Sequence, residues 1–212
     1  MNDALLAILR RAPVIPVIVL EDAQQAAPLA EALVAGGLPV LEVTLRTPVA
    51  LQAVKLMRQA VPDAVVGVGT LTTAEQFTAA RDAGAQFGVS PGFTAALATA
   101  AAGSGLHWLP GVMTPTEVLQ AQAQGYSLCK LFPAQQAGGT DMLRALHAIL
   151  PGVRFCPTGG ISRSNAAEYL ALPNVVCVGG SWVVPRDLVC KRDWAAIQAL
   201  AGEAAALPRG RC

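Results

Sequence analysis

Short runs of β-branched and aliphatic residues recur along this chain, each followed by a longer stretch whose apolar positions fall three or four residues apart. The first pattern is that of buried strands, the second that of amphipathic helices. Eight strands are read in this way: Val14–Val19, Val40–Leu45, Val65–Thr70, Phe87–Ser90, His107–Val112, Leu128–Phe132, Arg154–Thr158 and Val175–Val178. Helical spacing lies between them, as in Ala26, Leu29, Ala30, Leu33 and Val34, or in Leu51, Val54, Met57 and Val61. Gly36-Gly37 and Gly84 are predicted to close helices, and Thr47-Pro48 and Thr114-Pro115 to open them. A strand–helix unit recurring every roughly twenty residues favours an α/β fold closed as a (β/α)8 TIM barrel over an open doubly wound sheet. One domain over residues 1–212 is expected, with a short N-terminal helix in 1–12 and a frayed tail at 208–212.

Composition narrows the class. Apolar residues make up 53% of the 212 residues and charged residues 14%, with a net charge of +1. That balance suits a chain with a large core and offers no basic surface for nucleic acid or anionic membrane. No apolar run reaches the roughly 18 residues of a spanning helix, and Met1 to Arg11 lacks a signal-peptide pattern. A cytoplasmic protein is therefore expected. The five cysteines have no CxxC spacing, and Cys129, Cys156 and Cys177 sit in apolar runs, as reduced core thiols do. His107 and His147 lack carboxylates at ligand spacing, so no metal is expected. No GxGxxG or Walker pattern follows the first strand, and no cofactor is expected either.

Polar residues on predicted strands carry the candidate chemistry. In Leu128–Phe132, alternation puts Leu128, Lys130 and Phe132 on one face and Cys129 and Leu131 on the other. An ammonium among apolar neighbours is costly to desolvate, and a buried lysine tends to lose its proton and become a nucleophile for carbonyl carbon. The plainer alternative is a lysine snorkelling to solvent from a strand end. On the second strand Glu42, Thr44 and Arg46 form one column facing the barrel interior, either as a self-satisfying Glu42–Arg46 ion pair or as a working site. Thr70 ends the third strand, where active sites of such barrels lie. Gly67 and Gly69 leave room for a ligand or a packed helix. Pro91 and the Pro110-Gly111 turn shape the pocket. Glycine pairs after the last two strands, Gly159-Gly160 and Gly179-Gly180-Ser181, suit an anion at a helix N-terminus, at the position where this architecture often holds phosphate.

These stretches resemble the 2-keto-3-deoxy-6-phosphogluconate (KDPG) aldolases, a family that includes 4-hydroxy-2-oxoglutarate (KHG) aldolases. The likeness runs from Pro13-Val14-Ile15-Pro16-Val17 to Gly179-Gly180-Ser181-Trp182. It is most specific in Leu41–Thr47, Gly67–Thr70, Lys130-Leu131-Phe132-Pro133 and Arg154–Gly160. The resemblance implies a class I aldolase, commonly trimeric, that cleaves KDPG to pyruvate and glyceraldehyde 3-phosphate without a cofactor. It implies Lys130 as the Schiff-base lysine, Glu42 as general acid/base, and Arg46 and Thr70 as holders of the substrate carboxylate. It further implies substrate contacts at Pro91, Phe132 and Thr158, and phosphate contacts at Gly159, Gly160, Gly179, Gly180 and Ser181. The alternatives are a KHG or 2-keto-3-deoxy-6-phosphogalactonate aldolase of the same fold, then a phosphate-binding barrel isomerase or epimerase.

Overall fold

Aliphatic alternation produces strands here, and the residues that interrupt it decide where each strand stops. The computed structural model describes residues 2–210 and contains parallel strands β1 (Val14–Ile18), β2 (Val40–Thr44), β3 (Val65–Gly69), β4 (Phe87–Val89), β5 (His107–Leu109), β6 (Gly111–Val112), β7 (Leu128–Leu131), β8 (Arg154–Pro157) and β9 (Val178–Gly180). The helices are α1 (Asn2–Leu9), α2 (Ala26–Ala35), α3 (Ala50–Ala60), α4 (Ala74–Asp82), α5 (Ala95–Ser104), α6 (Pro115–Ala123), α7 (Gly139–Ile149), α8 (Ala166–Leu170), α9 (Arg186–Lys191) and α10 (Trp194–Ala205). Six strands form one curved sheet in the order β5-β4-β3-β2-β1-β9, and three form another, β6-β7-β8.

The predicted strand His107–Val112 is divided at Pro110. Proline has no N–H to give a ladder, but its carbonyl accepts from Lys130 N at 2.8 Å. The chain thereby leaves β4, which pairs with β5, and joins β7, which pairs with β6. The last strand lies later than Val175–Val178. Only from Val178 does the chain find β1, in the register Val14↔Val178, while Val175 and Gly179 reach β8 and Thr158 through isolated bridges.

Of the helix ends predicted from the sequence, those at Gly36-Gly37, Gly84 and Thr114-Pro115 follow local chemistry and that at Thr47-Pro48 does not. Thr114 accepts from Glu117 N and Glu117 reaches back to it, a capping box that starts α6 with Pro115 at its first turn. Gly37 and Gly84 take φ of 94° and 87° after α2 and α4. Thr47 starts no helix. Its hydroxyl donates to Leu20 O at 2.6 Å instead, and α3 begins at Ala50 without a side-chain cap.

Alternation along the strands separates two apolar cores. Leu41, Val43, Cys129 and Leu131 pack outward with the helices. Ile15, Val40, Val65, Phe87, Leu109 and Leu128 pack inward, joined by Leu5 and Leu9 of α1. One turn apart on α1, those leucines share a face and close the end of the interior where the strands begin. The tail is tied down further than expected: Gly210 N donates to Leu170 O at 2.8 Å and Arg209 to Arg10 O at 2.7 Å. Arg211 and Cys212, the rest of the predicted frayed segment, lie outside the described residues. Among the described residues no helix is long and apolar enough to cross a membrane.

One hydroxyl joins the sheet that ends at β5 to the strand that begins after Pro110. Ser90 Oγ donates to Gly92 O at 2.7 Å and accepts from Trp108 Nε1 at 3.1 Å and Gly111 N at 3.3 Å. Ser90→Ala leaves two buried donors without an acceptor and is expected to cost about 1–3 kcal/mol. A urea unfolding curve checks it through a lower midpoint at unchanged slope.

Candidate active site

Glu42 and Lys130 stand 88 residues apart in sequence and meet inside the sheets. Their strand neighbours Leu41, Val43, Cys129 and Leu131 all belong to the outer core, so alternation sends both charged side chains inward. Lys130 Nζ lies 3.2 Å from Glu42 Oε1, with side-chain exposures of 7% and 5%. They are the buried charged residues of the described chain. Lys130 is therefore not a lysine snorkelling to solvent, and its surroundings are not purely apolar, since a carboxylate faces it. The ring of Phe132 lies 5.2 Å from the ammonium, within reach of a cation–π attraction.

The glycines of β3 make this meeting fit, for a reason not legible in the sequence. A Cβ on Gly69 would strike the Glu42 carboxylate, and one on Gly67 would strike the Phe87 ring. The room they leave is taken by protein side chains, not by a helix. Below the pair, Cys156 sits in register with Lys130. Burial pushes the Cys129 thiol up to about 12, and the adjacent Cys156 thiol with burial raises Cys177 well above its usual range. The Cys129 and Cys177 thiols therefore stay protonated and inert near neutral pH.

The inward column read on β2 divides. Thr44 is buried, but its hydroxyl donates to Ile18 O at 2.9 Å and is satisfied by backbone. Arg46 lies past the end of β2, exposed, with its guanidinium unpaired among the described residues. The Glu42–Arg46 ion pair is absent: Glu42 is buried and pairs with Lys130, while Arg46 lies exposed beyond the strand end. Thr70 follows β3 with φ of 66°, a left-handed conformation costly for a β-branched residue, about 1–3 kcal/mol. Pro91 is partly buried above Gly111, where a Cβ would strike the Pro91 backbone.

Thr158 is 6% exposed, and its Oγ1 has no hydrogen-bond partner among the described residues. The hydroxyl packs against the neighbouring strand, standing where a Cβ on Gly179 would fall. Gly159 and Gly160 have φ of 97° and 75° and turn the chain tightly after β8. No helix N-terminus backs that turn. The five-residue α8 starts only at Ala166, because Asn165 first ties the loop down, accepting from Ser162 N at 2.8 Å and donating to Gly160 O at 3.0 Å. Gly179 and Gly180 lie buried in β9, where Cβ atoms would strike Thr158 and the Trp182 ring. Exposed Ser181 lines a cavity of 560 Å³ together with Val17, Val19 and Arg186. One further polar residue lies against the glycine turn, Gln135 after β7, and its Oε1 accepts from the hydroxyl of Tyr169 in α8 at 2.9 Å. No motif marks them, since 34 residues separate them. Among the described residues no group of three His, Cys, Asp or Glu side chains could hold a metal ion.

Against known proteins, residues 5–200 match the family model for KDPG and KHG aldolase. The chain belongs to this family. It is 50% identical over 203 residues to the 2-dehydro-3-deoxy-phosphogluconate aldolase of Zymomonas mobilis, covering 96% of each chain. Among solved structures, the KDPG aldolase of Legionella pneumophila, with pyruvate captured at low pH as a covalent carbinolamine intermediate, superposes with a TM-score of 0.93 at 47% identity, over 95% of this chain and 98% of that one. The Zymomonas mobilis aldolase with 3-phosphoglycerate gives 0.93 at 49% identity, over 99% and 98%.

For a member of this aldolase family, the contact between Gly69 and Glu42 yields a specific expectation. Gly69→Ala drives the carboxylate away from Lys130, and a displacement of about 1 Å in a catalytic constellation costs on the order of 100-fold in rate. Steady-state aldol cleavage at an unchanged far-ultraviolet circular dichroism spectrum is the check.

Proposed function

We propose that this chain cleaves KDPG to pyruvate and glyceraldehyde 3-phosphate through an imine on Lys130, with Glu42 moving the protons. The observation that carries the reading is the buried amine 3.2 Å from a buried carboxylate. Glu42 takes a proton from the Lys130 ammonium, and the free amine attacks C2 of the keto acid. The protonated carboxyl returns that proton to the carbinolamine hydroxyl, which leaves as water. The resulting iminium draws the C3–C4 bonding electrons inward once Glu42, directly or through a water, removes the C4 hydroxyl proton. Glyceraldehyde 3-phosphate departs. Glu42 then protonates C3 of the enamine, and water releases pyruvate and the free lysine.

Arg46 holds the substrate carboxylate. Its unpaired, exposed guanidinium is free for two parallel hydrogen bonds, and Thr70 stands at the neighbouring strand end to assist. Pro91, Phe132 and Thr158 border the pocket and contact the substrate. The backbone of Gly159-Gly160 and of Gly179-Gly180 and the hydroxyl of Ser181 receive the phosphate, and Gly179 lets β9 pack against Thr158. That grip, remote from the bond broken, orients the substrate for cleavage.

The two sheets are read as arcs of one closed (β/α)8 barrel in a single domain. The Pro110 carbonyl bonded to Lys130 N at 2.8 Å supports closure on one side, and the Thr158↔Gly179 bridge supports it on the other. A cytoplasmic location, as the composition suggests, and a homotrimer, as the resemblance implies, complete the proposal, and equilibrium sedimentation checks the trimer.

Lys130→Arg should abolish the pyruvate adduct trapped by borohydride, read as a mass increment on the intact protein. An adduct persisting in that variant overturns the assignment. Arg46→Lys keeps the imine chemistry but loses the planar fork, so pyruvate affinity should fall about tenfold or more. Titration calorimetry measures that loss, and an unchanged affinity removes Arg46 from the site.

A further inference from the structure

The Gly159-Gly160 turn is held from outside its own strand. Ala134 N donates to Thr158 O at 2.8 Å and Gln135 N to Gly159 O at 3.0 Å. A Cβ on Gly160 would strike the Gln135 side chain, and one on Gly159 would press on Pro133 at 3.1 Å. The segment after β7 therefore lies flush on the turn, with nothing between them. Gln135 is fixed in its own right: its Oε1 accepts from the Tyr169 hydroxyl at 2.9 Å. Tyr169 is 2% exposed, and burial, with Glu168 nearby, raises its phenol, so it remains a donor. Gly139 passes over this bond with φ of 61°, where a Cβ would stand 3.2 Å from the Tyr169 oxygen. Tyr169 belongs to α8, the helix that follows the turn. A closed path results, running from the strand of Lys130 through Gln135 and Tyr169 and back along α8 to the glycines.

We propose that the Gln135–Tyr169 pair is a positioning clamp that fixes the Gly159-Gly160 turn against the β7 strand and so sets the preference for phosphorylated over unphosphorylated 2-keto acids. Neither residue acts on the reacting atoms. Gln135 holds the turn in place, and Tyr169 holds Gln135. The inference rests on the reading of Gly159-Gly160 as phosphate contacts. It explains why an exposed glutamine is anchored by a buried phenol, and why glycines at 139 and 160 are needed at the two ends of one side chain.

The test compares Tyr169→Phe, which keeps the ring in the core, with Gln135→Ala at an exposed position. Each should raise KM for KDPG about five- to tenfold, the equivalent of one hydrogen bond, with kcat within about twofold. Affinity for pyruvate and the yield of borohydride-trapped adduct should stay at wild-type level. The double variant should be no worse than the poorer single one, since both cut the same path. Competitive inhibition by inorganic phosphate should weaken by the same factor as KDPG binding. Equal losses for KDPG and pyruvate would show a general structural role and overturn the clamp, as would wild-type KM and phosphate affinity in both variants. Should Tyr169→Phe fail to fold, Gln135→Ala decides alone. A wild-type protein that traps no pyruvate sinks the aldolase reading. Phosphate affinity by calorimetry still judges the clamp in that event, with a loss in the variants supporting it and no change refuting it.

Discussion

Two opposite charges 3.2 Å apart inside an otherwise apolar wall set the terms for the rest of the molecule. Each ion loses several kcal/mol of hydration on burial, and the attraction between them offsets that loss only while the geometry is held. Nothing local to either residue provides such holding. β2 and β7 lie in different sheets, so the pair exists only if both sheets curve around one interior. The apolar inner layer beneath it, capped by Leu5 and Leu9, fixes that curvature from below.

The same constraint accounts for features that look unrelated in the chain. Gly69 is bare because the Glu42 carboxylate fills the space of its side chain. Pro110 breaks a strand so that its carbonyl can bond Lys130 N, and Ser90 Oγ ties that break back to β4. Thr70 keeps a strained backbone at a neighbouring strand end, in the place where strain is most often stored for function. Arg46, Thr70 and Thr158 lie at the ends of β2, β3 and β8, whereas the interior at the opposite end of the strands is apolar.

Much of this was legible before any coordinates. Alternation around Glu42 placed it on the inner face, since Leu41 and Val43 seek the helices. Around Lys130 both faces carry apolar residues, and the burial of Lys130 was decided by the tertiary structure. The glycine-rich ends of β8 and β9 were equally visible. What those glycines face was not. Gly179 and Gly180 adjoin Thr158 and Trp182, and Gly159-Gly160 adjoins Gln135, contacts that depend on how loops from separate units settle. Thr47 shows the same limit: its sequence reads as a helix start, yet its hydroxyl found Leu20 O from another unit.

The sequence by itself determined the alternation of strands and helices and the inward turn of Glu42, since those follow from periodicity and from the cost of exposing apolar surface. It did not determine the break at Pro110, the later start of the last strand or the outward place of Arg46. Its motifs also carried the resemblance to the aldolase family. Only the tertiary structure decided that Glu42 pairs with Lys130 and not with Arg46, and that Tyr169 reaches across to Gln135. Pairings of that kind depend on the curvature of whole sheets and on which polar group has no better partner. A linear chain does not display either one.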